Sequence, residues 1–234
     1  MSQVPERAEG EAGRGLPGYF ITLEGPDGGG KSTQIRLLSR RLQEEGLGVV
    51  ALREPGGTNL GERMRSLLLD PVLGEISPRA EVLLYAASRA QLVQEAVLPA
   101  LRAGQVVLLE RYVDSSLAYQ GWGLGVSVEE VAAVNDFATG GLQPHLTILL
   151  DLDPAWARRY RLSSQLDRVE ARSEAYHRRV REGFLELARN NSQRVKVVDA
   201  SGSLSGVHRQ VWEHIRLGLR EAGFLPACGD GNGP

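Results

Sequence analysis

An α/β fold built on a parallel sheet with helices on both faces is what this sequence predicts, from three observations. Short apolar runs recur at 19–24, 48–53, 105–110, 146–152 and 194–199, each separated from the next by helical pattern or by loop and then helix, the alternation that βαβ units produce. The chain has 234 residues, 42% hydrophobic and 24% charged, an ordinary globular make-up that suits one domain. No internal repeat or linker divides it.

Taken in order, residues 1–18 lack periodicity and read as a disordered leader. The domain runs over 19–222, with five strands at the apolar runs and helices at about 31–45, 59–69, 78–103, 111–120, 127–139, 154–189 (interrupted) and 203–222. The stretch 78–103 is apolar on nearly all sides and reads as a buried central helix. At 162–172 the polar segment Ser163-Ser164-Gln165-Leu166-Asp167-Arg168-Val169-Glu170 interrupts the helical pattern, as a lid would. Residues 223–234 read as a flexible tail.

Charge and cysteine usage exclude several functions. A formal net charge of −2, from 27 Lys+Arg against 29 Asp+Glu, gives no field to hold a nucleic acid or an anionic membrane. No apolar run reaches the roughly 18 residues of a membrane span, and the N-terminus lacks a signal-peptide core, so a cytoplasmic protein is expected. The single cysteine, Cys228, excludes an internal disulfide and a cysteine-based metal cluster. Only two of the basic residues are lysines, Lys31 and Lys196, so a lysine here marks a place where arginine does not serve.

Lys31 stands in Gly25-Pro26-Asp27-Gly28-Gly29-Gly30-Lys31-Ser32, which fits G-x-x-x-x-G-K-[ST] and lies between an apolar strand and an amphipathic helix. The glycines let backbone N–H groups converge on phosphate oxygens, and the helix that continues through Thr33 adds its positive end. The Ser32 hydroxyl suits Mg²⁺, and a compact ammonium fits between β- and γ-phosphates where a guanidinium would not. An ATP-Mg²⁺ site is therefore expected over Gly25–Thr33. A GTPase-type N-K-x-D segment is absent, and the strand ending at Glu110 continues Arg111-Tyr112 rather than in the Asp-Glu of motor ATPases. Asp27 must turn its carboxylate from the phosphates toward a hydrogen-bond donor, such as a sugar hydroxyl, or toward solvent.

Two cations end neighbouring strands, Arg53 in Arg53-Glu54-Pro55-Gly56-Gly57-Thr58 and Arg111 in Glu110-Arg111-Tyr112, the edge at which open α/β sheets bind ligands. They read as a clamp for a second phosphate, against the alternative of solvated surface arginines. Tyr85 and Arg89 share a helix face, four residues apart. A ring beside a donor-only group can stack a base and bond its carbonyl edge while opposing a cytosine amino group; Tyr85 as simple core is the competing reading. Ten arginines fall between Arg158 and Arg194, and most suit solvated helix faces.

Together these segments, with Ser115 to Gly121 and Asp167-Arg168-Val169-Glu170, resemble the thymidylate kinase family over about 19–222. The resemblance implies a five-stranded P-loop nucleoside-monophosphate-kinase fold with a short lid, and transfer of phosphate from MgATP to dTMP. It implies Asp27 at the deoxyribose 3′-OH, Tyr85 under the thymine, Arg89 on its carbonyl, and Arg53 and Arg111 at the dTMP phosphate. Ser116, Tyr119 and Gln120 would lie near sugar and base, the turn 199–202 near adenine, and Ser32 with Glu110 at the metal. Glu110 stands where the family commonly has Asp. The phosphate loop carries no arginine, so, as in bacterial-type members, the lid would supply the cation for the γ-phosphate; Arg161 is favoured over Arg168. Members are typically homodimers. The rival readings are a kinase for another monophosphate and a non-catalytic ATP-binding switch, both disfavoured by the Tyr85/Arg89 pair and the Arg53/Arg111 clamp.

Overall fold

Five parallel strands, β1 (Tyr19–Glu24), β2 (Val49–Arg53), β3 (Val106–Glu110), β4 (Leu146–Asp151) and β5 (Val195–Asp199), stand in the order β2-β3-β1-β4-β5. The structure, a computed structural model, describes residues 15–159 and 166–226. Leu23 of β1 pairs in register with Glu110 of β3, and Glu110 with Arg53 of β2. That register aligns the carboxyl ends of three strands, so the residues just beyond them share one edge.

Helices cover both faces: α1 (Lys31–Glu44), α2 (Asn59–Leu69), α3 (Pro78–Leu92), α4 (Leu98–Arg102), α5 (Val113–Ser116), α6 (Val128–Thr139), α7 (Pro154–Arg159), α8 (Glu174–Asn190) and α9 (Leu204–Glu221). Alternation along β1 divides the core. Tyr19, Ile21 and Leu23 pack with Leu38 and Leu42 of α1 and Val211, Ile215 and Leu219 of α9. Phe20 faces the other way, onto Leu92, Val97 and Leu101. Its same-face successors Thr22 and Glu24 are polar yet fully buried, so this face turns polar toward the carboxyl edge.

Three expected helices differ in detail. Residues 78–103 form α3 and α4 joined by a π-helical turn, Val93–Val97. Pro99 explains the shift, because it offers no N–H and its ring crowds the carbonyl four residues back. The helix expected from 111 starts at Val113, since Arg111 has φ +66, and it widens into a π-helical segment, Leu117–Gly123. Gly123 is needed there: a Cβ would lie 2.6 Å from the Tyr176 ring of α8. The interrupted 154–189 stretch is α7 and α8. Of the expected leader, tail and lid, residues 1–14, 227–234 and 160–165 lie outside the described residues, and with them Arg161, Ser163, Ser164, Gln165 and Cys228.

Candidate active site

The β1–α1 connection is shaped for an anion. Gly25 has φ +128, and a Cβ there would meet the Leu150 carbonyl oxygen at 2.3 Å, so glycine alone allows the loop to turn against β4. Whereas α2, α6, α8 and α9 are capped by Thr58, Ser127, Ser173 and Ser203, α1 is capped by Gly30 in the left-handed conformation with no side-chain bond. The N–H groups of its first turn therefore face the loop without an intrahelical acceptor.

Lys31, 4% exposed, donates to the carbonyls of Pro26 at 2.8 Å and Gly25 at 3.1 Å. Burial, and next the charge of Arg111, lower its ammonium to about 8. Ser32 Oγ donates to Glu110 Oε2 at 2.8 Å. The longer Glu110 side chain thus reaches the loop hydroxyl, and the pair offers a cation two hard oxygen donors. No cluster of three or more His, Cys, Asp or Glu suited to a metal occurs among the described residues.

Beside the loop opens a cleft lined by both charged and aromatic side chains. Ten residues expected from the sequence line it: Asp27, Ser32, Arg53, Tyr85, Arg89, Glu110, Arg111, Ser116, Tyr119 and Gln120. Arg111 is its electrostatic centre, donating to Gly25 O at 3.0 Å, Ser115 Oγ at 3.2 Å, Asp27 Oδ1 at 2.5 Å and Tyr119 Oη at 3.1 Å. Burial opposes its charge, but Asp27, together with Tyr119 and Glu24, outweighs burial and holds the guanidinium well above its ordinary value. Asp27 does turn to a donor, as its place in an anion cradle requires, and here the donor is Arg111. Arg53 stands at the mouth, its half-exposed guanidinium 3.1 Å from Glu62. Tyr85 lines the cleft, and burial makes its ring hydroxyl proton harder to remove.

Two expected arginines have buried protein partners that the sequence did not indicate. Arg89 is 1% exposed. Its Nε donates to Glu54 at 2.7 Å, Nη1 to Ser116 Oγ at 3.0 Å and to Asn135 Oδ1, and Nη2 to the Tyr112 carbonyl at 3.1 Å; Nη2 also lies 2.6 Å from Glu54 Oε2 in an ion pair. Four hydrogen bonds and the Glu54 ion pair hold the guanidinium in place where it lines the cleft. Arg168 is anchored rather than poised over the loop: 8% exposed, it donates to the Leu68 carbonyl at 2.8 Å and to Glu81 at 2.7 Å. These bonds tie it to α2 through Leu68 and to α3 through Glu81. Arg161 lies outside the described residues.

Sequence reasoning missed the support behind these groups. Glu24 accepts the Tyr112 N–H at 2.7 Å and the Ser115 hydroxyl at 2.5 Å, fixing the chain just after the left-handed Arg111. Burial, then Asp114, raises the Glu24 carboxyl to about 7. Glu54 and Glu81 are carboxylates buried against arginine. A glutamate in the apolar stretch 78–103 was the one available signal, since a buried charge demands a partner.

The thymidylate kinase family model matches residues 23–211. A thymidylate kinase of Deinococcus radiodurans is 51% identical over 199 residues, which span 85% of this chain and 96% of that protein. One from an Exiguobacterium species is 44% identical over 209 residues, 89% of this chain and 99% of that protein. The crystal structure of thymidylate kinase from Ehrlichia chaffeensis is similar at a TM-score of 0.71 and 31% identity, covering 85% of this chain and 98% of that one.

Proposed function

Because the chain belongs to the thymidylate kinase family, we propose that this cleft holds dTMP beside ATP on the phosphate loop and transfers the γ-phosphoryl group between them. A dTMP phosphate oxygen attacks the γ-phosphorus, the bond from that phosphorus to the β–γ bridging oxygen breaks, and dTDP and ADP result. The observation that carries this reading is Arg111: one guanidinium touches both the phosphate loop, at Gly25 and Asp27, and the far wall of the cleft, at Ser115 and Tyr119. An in-line transfer needs the acceptor phosphate at such a junction.

In this reading Lys31 exchanges the Gly25 and Pro26 carbonyls for oxygens of the β- and γ-phosphates and neutralises charge developing there. Arg53 and Arg111 hold the acceptor phosphate, Asp27 accepts from the sugar hydroxyl, and Tyr85 stacks the base with Ser116, Tyr119 and Gln120 around it. Gly28, Gly29 and Gly30 lend backbone N–H groups. Ser32 and Glu110 fit a Mg²⁺ ion, which would supply charge neutralisation on the phosphates when bound. The first-turn N–H groups of Lys31, Ser32 and Thr33 complete the anion cradle.

The reading extends to a cytoplasmic homodimer. No described helix is long and apolar enough to cross a membrane, and α3 packs between α2 and α6, three helices that leave Leu67, Leu83 and Phe137 exposed, a pattern suited to a partner surface. ADP release measured across dTMP, dUMP, dCMP, AMP and GMP tests the activity: dTMP should give the highest kcat/KM. Preference for a purine monophosphate, or ATP binding with no acceptor turned over, would refute it in favour of another kinase or a switch.

A further inference from the structure

One carboxylate joins the cleft floor to the segment that follows residue 165. Glu81, on the first turn of α3, is 0% exposed. It accepts from Arg168 Nη2 at 2.7 Å, from Arg172 Nη1 at 3.1 Å and Nη2 at 2.7 Å, and from Gln120 Nε2 at 3.0 Å. Burial alone would raise its carboxyl, but the Arg172 contact, with Gln120 and Arg168, outweighs burial and holds it below its ordinary value. Glu81 itself does not line the cleft; Gln120 does.

An ionised carboxylate only accepts hydrogen bonds, so of the two ends of the Gln120 amide only the NH₂ can face it. The opposite end, Oε1, accepts no hydrogen bond among the described residues. We infer that Glu81 is a positioning residue for substrate choice: it locks the Gln120 amide so that the cleft floor presents a carbonyl acceptor and selects a base bearing a ring N–H. Thymine and uracil carry that N–H at N3. Cytosine places a lone pair there, against which a fixed carbonyl oxygen is repulsive. Arg168 and Arg172 each pair with Glu81, so either one keeps it charged and the amide from turning over. The inference rests on the cleft's being the dTMP site.

Glu81→Gln tests it in the full-length chain with MgATP. A glutamine at 81 can donate as well as accept, which frees the Gln120 amide to turn its NH₂ toward the cleft. The kcat/KM ratio of dTMP over dCMP should fall about tenfold or more, through KM rather than kcat. The ratio of dTMP over dUMP should stay within about twofold, because both bases carry the same N–H. Arg172→Met, which removes one charged partner and leaves the Glu81–Gln120 bond, should lower Tm and keep both ratios. Should Glu81→Gln be insoluble, Glu81→Gln/Arg168→Met removes the buried guanidinium left over and carries the same test. A folded Glu81 variant with an unchanged dTMP:dCMP ratio overturns the inference, as does an equal fall in Arg172→Met. A wild-type chain that does not prefer dTMP to dCMP overturns the dTMP reading and the inference together; wild-type preference retained by the variant overturns the inference alone.

Discussion

Arg89→Ala removes a buried guanidinium held by Glu54, Ser116, Asn135 and the Tyr112 carbonyl, and the size of the effect follows from what remains. Glu54 is 3% exposed, Ser116 2% and Asn135 1%, so water cannot readily replace the lost donors. Leaving one partner of a buried ion pair uncompensated costs about 3–5 kcal/mol. At about 2–4 °C per kcal/mol for a domain of this size, Tm should drop by roughly 6–20 °C. The loss should depend on pH in a definite direction. Burial already raises the Glu54 carboxyl, and Arg89 is the group pulling it back down, so without Arg89 its folded-state value rises further above the unfolded one. A raised carboxyl binds more protons folded than unfolded, and its share of stability is present at low pH and lost as pH climbs through the folded value. The Tm deficit at pH 8 should therefore shrink at pH 5.5. Glu54→Gln placed on Arg89→Ala should recover part of the loss, because the buried charge is gone. Thermal unfolding followed by circular dichroism reads all three. A variant within 2 °C of wild type at pH 8, with a raised KM for dTMP alone, would refute this reasoning and return Arg89 to base recognition.

Lys31 sits near pH 8 in the nucleotide-free protein, so ATP binding at pH 8.5 should take up protons as the phosphates restore the ammonium; calorimetry in two buffers of different ionisation enthalpy should show uptake at pH 8.5 and little at pH 7. Both Lys31→Ala and Lys31→Arg should fold and lose nearly all phosphoryl transfer, and near-native turnover of either at saturating MgATP would contradict the role given to this lysine. Glu110→Gln should raise the Mg²⁺ concentration for half-maximal rate roughly ten- to a hundred-fold, seen in a metal titration at fixed ATP. Phe137→Asp with Leu83→Asp should convert a dimer to a monomer by sedimentation; an unchanged mass would place the dimer surface elsewhere.

The order of strands and helices was legible because parallel strands buried on both faces must be apolar and the helices between them must be amphipathic. The phosphate loop was legible because its chemistry is local: glycines, Lys31 and Ser32 act within eight consecutive residues. Arg53, Arg111, Tyr85 and Gln120 could be placed at one site through their positions at strand ends and on helix faces, together with the family resemblance. The partners of each charge were not legible, since they depend on which side chains meet across distances of tens of residues. Arg89 and Arg168 look in sequence like free cations, yet Glu54 and Glu81, 35 and 87 residues away, consume them. The left-handed Arg111 and the π-helical segment that carries Tyr119 and Gln120 were not legible in the sequence either. Buried polar groups must be paired, and only the packed tertiary structure decides with what.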